Sequence, residues 1–339
     1  LTVIHDAECE AQKSDPGFSV ANMDYDDPAT YQMLAQGETE GIFQLESTGM
    51  TQVLMGMHPR NLEDIIALIS LYRPGPMDSI PTYLRNRREP DKVTYKTPEL
   101  AHILDVTNGC IVYQEQVMQI FRELAGFSFG QADNIRRAMS KKKHKVMEAE
   151  RGHFVQGCAE NHISESIANA LYDEMSSFAS YAFNKSHAAC YAYVAFQTAY
   201  LKCHYPLQFA AASLTNAIEN AEKFRRLMND TTRAGIKILS PSINHSKGGF
   251  TVEDGAIRFG LLALKHVGQA VAEECISERR ANGEFAGLQD LISRCPMACT
   301  QQILEALVDS GAVDQLGANR AQMLQAIPTM LKLVAAERK

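Results

Sequence analysis

The chain has 339 residues, 45% of them hydrophobic and 22% charged, enough apolar material for two or three cored domains. No run of 18 apolar residues and no basic segment leading into an apolar one appears, which argues against a membrane span or secretory signal and for a cytoplasmic protein. A net charge of −7 argues against a uniformly basic nucleic-acid binder and leaves a local basic surface open. The chain opens on Leu1, as an excised or processed piece does. Eight cysteines are scattered without a CxxC pair. Cys295 and Cys299 are the closest, and no His cluster completes a zinc set, so they read as reduced thiols.

Helical signals come first. Asp27-Pro28 reads as a cap with proline in the first turn, and Gly37 as the stop. Leu62, Ile65, Ile66, Ile69 and Leu71 make a helical stripe over 61–72, ended by Arg73-Pro74-Gly75-Pro76. Residues 77–98 hold three prolines and little periodicity, and read as an irregular connection. Further helices are expected over Val117–Leu124, over Ile167–Phe178, from a Ser186 cap to about His204, from Pro206 to about Ile218, and over 220–234. After an extended 236–246, Phe250–Val252 and Ala256–Phe259 read as a β-hairpin closed by an Asp-Gly turn. Short helices are expected at 264–281, 286–294, 301–309 and 318–336. The class is mainly α: a large all-helical domain over 1–240, then a small helical module with one β-hairpin over 241–339.

The run Arg136–Lys145 carries six positive charges, with no acid between Asn134 and Met147. Read as one helix, it puts Ile135, Met139 and Val146 on one side, and Arg136, Arg137, Lys141, Lys143 and Lys145 around the rest. A solvated face and a surface for a polyanion both fit this pattern. Asn184-Lys185-Ser186-His187 opens a helix whose N-terminus suits an anion, with His187 and Tyr191 on one face, although an ordinary serine cap explains it equally well. The cap at Asp27 accounts for Asp24–Asp27 better than a magnesium site. Leu262–Ala272 resembles a helix-hairpin-helix, in which an apolar-Gly hairpin turns backbone N–H groups toward a DNA phosphate. Lys265, Val267 and Gly268 carry that reading, and His266 stands where the pattern has its first glycine. A generic helical pair is the alternative. A weaker second pair runs through Leu304–Asp314, turning at Ser310-Gly311-Ala312.

Four segments taken in order say more than any one of them: Phe43–Ser47, Leu71–Met77, Tyr113–Met118 and Tyr181–His187, with Arg136–Met139 between the last two. Together they resemble the alpha subunits of bacterial DNA polymerase III, the C family of replicative polymerases. The resemblance implies fingers over 1–240 and the first part of the clamp-binding region, with its helix-hairpin-helix, over 241–339. It implies magnesium-dependent nucleotidyl transfer in the whole subunit. The metal is held by aspartates upstream of a segment like Leu1–Ile4 and therefore outside this chain, which alone should be inactive. It implies as partners a DNA primer-template, a dNTP, the sliding clamp and other replicase subunits. Carried over by residue, the dNTP contacts are Arg136, Arg137, Lys185 and His187, the last near the sugar. The DNA contacts read from the basic run and the hairpin are Lys141, Lys143, Lys145, Lys265, Val267 and Gly268. Cys190 stands where the family has a smaller residue. A stand-alone, sequence-nonspecific DNA-binding scaffold and a helical interaction protein are the competing readings.

Overall fold

The structure is a computed structural model that describes residues 1–141, 143–179, 183–298 and 300–337. Its helices begin with α1 (Thr2–Ala11), α2 (Pro28–Ala35), α3 (Thr48–Met57), α4 (Leu62–Leu71), α5 (Ile80–Arg88) and α6 (Ala101–Leu104). Then come α7 (Gln114–Ala125), α8 (Phe129–Ser140), α9 (His144–Glu160), α10 (Glu165–Ala179) and α11 (Lys185–His204). After α12 (Pro206–Asn216) and α13 (Ala221–Arg233) lie three short strands, β1 (Ile238–Leu239), β2 (Thr251–Glu253) and β3 (Ala256–Arg258). The last helices are α14 (Gln269–Asn282), α15 (Leu288–Arg294), α16 (Gln301–Asp309) and α17 (Arg320–Glu337). The chain is mainly α, as the sequence leads one to expect. Packing divides it into Asp24–Ala199 and a second unit of Leu1–Met23 with Tyr200–Lys339. The composition change near residue 240 falls inside the second.

Within Asp24–Ala199, local chemistry sets the helix starts. Asp27 accepts from the Thr30 N–H at 2.8 Å with Pro28 at the first helical position. Asn61 caps α4 by accepting from the Asp64 N–H, and Asp64 accepts in turn from the N–H of Arg60, the residue before the cap. Ile65, Ile66, Ile69 and Leu71 of the α4 stripe are buried, and Asp64 with them. Arg87 meets that carboxylate with both terminal nitrogens at 2.5 and 2.6 Å, and its Nε reaches Met57 O at 2.8 Å. Arg87 belongs to α5, which corrects the reading of 77–98 as irregular. Pro81 sits in the first turn, where no intrahelical N–H bond is lost, so it starts the helix instead of breaking it. The core beneath α7–α10 is aromatic, with Phe121 packed on Phe127, Phe154 and Tyr172 at 5.1, 4.8 and 5.9 Å between ring centres. Gly157 of α9 packs on the end of α7 so closely that a Cβ there would collide with Ala125 O and lie 2.8 Å from its carbonyl carbon.

In the second unit α1 packs along α12, and Asn216 of α12 bonds Asp6 of α1 at 2.8 Å. The expected hairpin is present. β2 and β3 pair antiparallel around Asp254 (φ +49°) and Gly255 (φ +75°), both in the left-handed region that a tight hairpin turn requires. β1 adds a parallel partner to β3, giving the order β1-β3-β2. Gly260 lies against the backbone of Gly248 and Gly249 and leaves no room for a side chain. α14–α17 then enclose their own core, with Leu291, Ile292, Leu304, Val308, Val313 and Ile327 essentially inaccessible. Arg279 of α14 holds the 242–246 turn through Ser246 O at 2.6 Å, and burial lowers its pKa. All described cysteines are free thiols; Cys299 lies outside the described residues.

Candidate functional site

The segment that opens α11 is an assembly point. Asn184, not Ser186, caps the helix: its side-chain oxygen accepts from the His187 N–H at 2.9 Å. Glu115, in the first turn of α7, accepts from Asn184 Nδ2 at 2.9 Å and from the Lys185 N–H at 3.1 Å. The helix N-terminus that suits an anion thus already holds a carboxylate from the same chain. Gln114 N–H donates to Phe183 O at 2.9 Å, which joins Tyr113 and Phe183 in a parallel bridge. The Lys185 ammonium pairs with Glu63 at 2.9 Å and stands over the Tyr113 ring. That ring is buried, its hydroxyl has no hydrogen-bond partner among the described residues, and burial raises its pKa well above the usual tyrosine value. Arg73 lies 4.0 Å over Phe183. Phe183 meets His187 at 5.4 Å, His187 meets Tyr191 at 4.6 Å, and Tyr191 meets Phe43 at 5.5 Å. Residues from four segments far apart in sequence therefore form one contact network. Tyr181 and Ala182 lie outside the described residues.

The basic run is built differently from its helical-wheel reading. α8 starts on a reciprocal cap between Ser128 and Gln131 and ends at Ser140, and α9 starts at His144. Lys141 and Lys143 lie in the link and Lys145 in the first turn of α9, all exposed. The break has a physical reason: cations are favoured after a helix C-terminus and repel one another along a continuous helix. Ile135 is buried, but Val146 is exposed and shares no apolar face with it. Nor are the arginines uncompensated. Asp133 bonds Arg136 Nε at 2.9 Å and Arg137 Nε at 2.7 Å, and the Arg136 hydrogen bond holds its carboxyl below the usual aspartate range. Arg137 keeps 66% of its side chain exposed and Arg136 31%. No ion pair or hydrogen bond joins Arg136 or Arg137 to Lys185 or His187 among the described residues. Lys142 lies outside them.

In the hairpin, α14 begins only at Gln269, after a 3-10 turn over Leu261–Ala263, so 264–268 is the connection and not helix. His266, where a glycine was expected, takes φ +66°, the left-handed conformation that glycine adopts most easily. Gly268 caps α14 at φ −87°, ψ 174°, which any residue can take, so its glycine is not demanded by its backbone. A Cβ on it would meet nothing within 4 Å. Val267 is buried, and its N–H donates to Leu264 O at 3.2 Å. The N–H groups of Gln269, Ala270 and Val271 lie in the first turn, where no intrahelical acceptor exists. Lys265 and His266 are exposed beside a groove they share with Glu305, Asp309 and Ser310.

Comparison with known proteins matches residues 1–162 to the bacterial DNA polymerase III alpha subunit finger domain and residues 235–323 to the helix-hairpin-helix motif. DNA polymerase III subunit alpha of Thermus aquaticus is 45% identical over 322 residues, 93% of this chain and 26% of that protein. The Bacillus subtilis (strain 168) protein of the same name is 44% identical over 316 residues, 93% of this chain and 28% of its own length. The Borreliella burgdorferi one is 38% identical over 339 residues, 100% of this chain and 30% of its own. The chain belongs to the DNA polymerase III alpha subunit family. It spans between a quarter and a third of the relatives it matches.

For a DNA polymerase III alpha segment, the contacts that sequence reasoning missed are acidic. Glu63, Glu115 and Asp133 each occupy a cation or helix end that had been assigned to phosphate. The Asp133 pairing was legible, since it stands three and four residues before the two arginines on one helix. Glu63 and Glu115 were not, because only the fold brings them to Lys185. The Asp24–Asp27 run does not fit a metal pair: Asp27 caps α2, and Asp24 accepts from Asp26 N–H at 2.9 Å. No helix among the described residues is long and apolar enough to cross a membrane.

Proposed function

We propose that this chain is the fingers segment, residues 1–240, and the helix-hairpin-helix segment, residues 241–339, of a longer replicative DNA polymerase. In it Arg136, Arg137 and Lys185 hold the triphosphate of an incoming dNTP, with His187 at the sugar. Lys141, Lys143, Lys145, Lys265 and the first-turn N–H groups beside Gly268 hold the DNA backbone. The observation that carries the reading is the single network formed by the four family segments around Glu115 and Lys185. Magnesium is assigned to residues outside this chain, which alone should not extend a primer. The sliding clamp and other replicase subunits are proposed partners of the whole subunit.

The chain's own contribution is fixed positive charge. A guanidinium grips two phosphate oxygens at once, and its contact strengthens as charge moves onto the leaving pyrophosphate. Binding then asks Asp133 to give up Arg136 and Arg137, and Glu63 to give up Lys185. These are exchanges of solvent-screened pairs, which cost little. The test is single-nucleotide incorporation by the longer subunit. Arg136→Ala and Arg137→Ala should each lower kcat/KM for dNTP by roughly 100-fold, as loss of one preorganised donor does. Arg→Lys should restore part of it. If both alanine variants stay within threefold of the parent, the triphosphate assignment is wrong.

A further inference from the structure

Cys275 of α14 and Cys295, the residue that ends α15, share one core and are 1% and 0% exposed. Two contacts bracket them. The Met297 N–H donates to the Glu274 carboxylate at 2.8 Å, and Arg294 Nε donates to Glu278 at 3.0 Å. Arg294 Nη2 adds a bond to Glu278 O at 3.3 Å. The residues flanking each cysteine are thus tied together, and the two sulfurs meet between them. Cys295 donates its S–H to the Cys275 sulfur. That hydrogen bond holds the Cys275 thiol below its ordinary pKa, and Arg279, one turn further along α14, acts in the same direction. The same bond, together with burial, pushes the Cys295 thiol up. One sulfur is therefore prepared as a thiolate while its neighbour keeps its proton. Two small apolar side chains filling a core would account for the burial. They would not account for a sulfur–sulfur hydrogen bond beside a guanidinium, which is the setting of a reactive thiolate with a resolving partner.

We infer that Cys275 and Cys295 form a redox site, which hydrogen peroxide closes into a disulfide. The Cys275 thiolate attacks one peroxide oxygen. The O–O bond breaks, water leaves, and Cys275 becomes a sulfenic acid. The Cys295 sulfur then attacks the Cys275 sulfur, so that an S–S bond forms, the S–O bond breaks and a second water leaves. The two thiols give up two electrons and two protons, and the peroxide takes up both. Peroxide reaches the buried pair when α14 opens locally, and a dithiol reductant reverses the change by exchange. The inference goes beyond the polymerase reading and does not depend on it. The test treats the longer subunit with hydrogen peroxide, then alkylates, digests without reductant and analyses the peptides by mass spectrometry. The expected product is a pair of peptides joined through Cys275 and Cys295, lighter by the two lost hydrogens and separated again by dithiothreitol. Cys295→Ala should stop the reaction at Cys275, where dimedone captures the sulfenic acid, and Cys275→Ala should leave Cys295 a thiol. Exposed Cys9 and Cys190 report that the oxidant is active, and amide exchange in α14 reports that the core has opened. If Cys9 and Cys190 are oxidised and the α14 amides exchange while the parent's Cys275 and Cys295 stay thiols, the redox site is refuted and the pair is core packing alone. Oxidation of either cysteine without the joined product overturns it equally.

Discussion

Two glycines of α9 should respond to alanine with opposite sign. Helix propensity alone favours both substitutions, by roughly 0.5–1 kcal/mol each, because glycine in a helix interior loses more backbone freedom than alanine. At Gly152 nothing lies within 4 Å of the new Cβ, so Gly152→Ala should show that gain in full. At Gly157 the Cβ would strike Ala125 O and sit 3.0 Å from Ala125 Cα, both of them backbone at the end of α7. Backbone cannot turn aside as a side chain can, so α9 must withdraw. That strains the packing of Phe154 on Phe121 and the Asn161 side-chain bond to Leu124 O at 3.0 Å. Overpacking of this kind costs about 1–3 kcal/mol, and a lost hydrogen bond adds about 1. Gly157→Ala should therefore be destabilised by roughly 1–3 kcal/mol after the propensity gain is subtracted. Because the chain packs as two units, a single global transition is not assumed. Amide hydrogen exchange in α7 and α9 reads the local opening energy directly. Equal stabilisation by both substitutions would refute the close approach of α9 to α7.

Arg87→Ala should destabilise Asp24–Ala199 by about 3–5 kcal/mol in urea titration, since it leaves the buried Asp64 carboxylate without its partner. Asp64→Leu combined with Arg87→Met should recover most of that loss. His266→Gly should leave the fold at least as stable, by up to about 1 kcal/mol, because φ +66° is strained for histidine and free for glycine. Gly268→Val should preserve the melting temperature yet weaken duplex binding in a filter or anisotropy assay, and unchanged binding would make the hairpin purely structural. Duplex affinity of the chain should fall with log salt at a slope of roughly −4 if it neutralises about 4–5 phosphates. The Arg258 hydrogen bond holds the Glu253 carboxyl below its ordinary 4.5. Its contribution is thus full above that value and lost as the pH falls through the lower folded one. Protection of the hairpin amides, taken relative to their intrinsic exchange rate at each pH, should fall only at acid pH, and Arg258→Leu should move the Glu253 titration back toward 4.5.

Much of this molecule is legible in the chain itself because the relevant physics is local. Asp27-Pro28, Asn61 before the α4 stripe, and Asp254-Gly255 act within four residues, so the helix starts and the hairpin follow from spacing alone. The helix-hairpin-helix resemblance marked position 266 as a glycine site, and only the structure shows that His266 takes the left-handed bend there. Family membership is legible for another reason: the four segments keep their order and chemistry. What the chain could not disclose is the partner of each charge. Asp64 and Arg87 are 23 residues apart, and Glu115 and Lys185 are 70 apart. Such pairs depend on where helices cross, and helix crossings depend on side-chain packing summed over a whole core. The break between α8 and α9 belongs to the same class, since mutual repulsion of the lysines and the seat of Met147 in the aromatic core decide it jointly. Tertiary structure alone decides which cations remain available to a ligand, because ion pairing acts through a few ångströms of space and takes no account of distance along the chain.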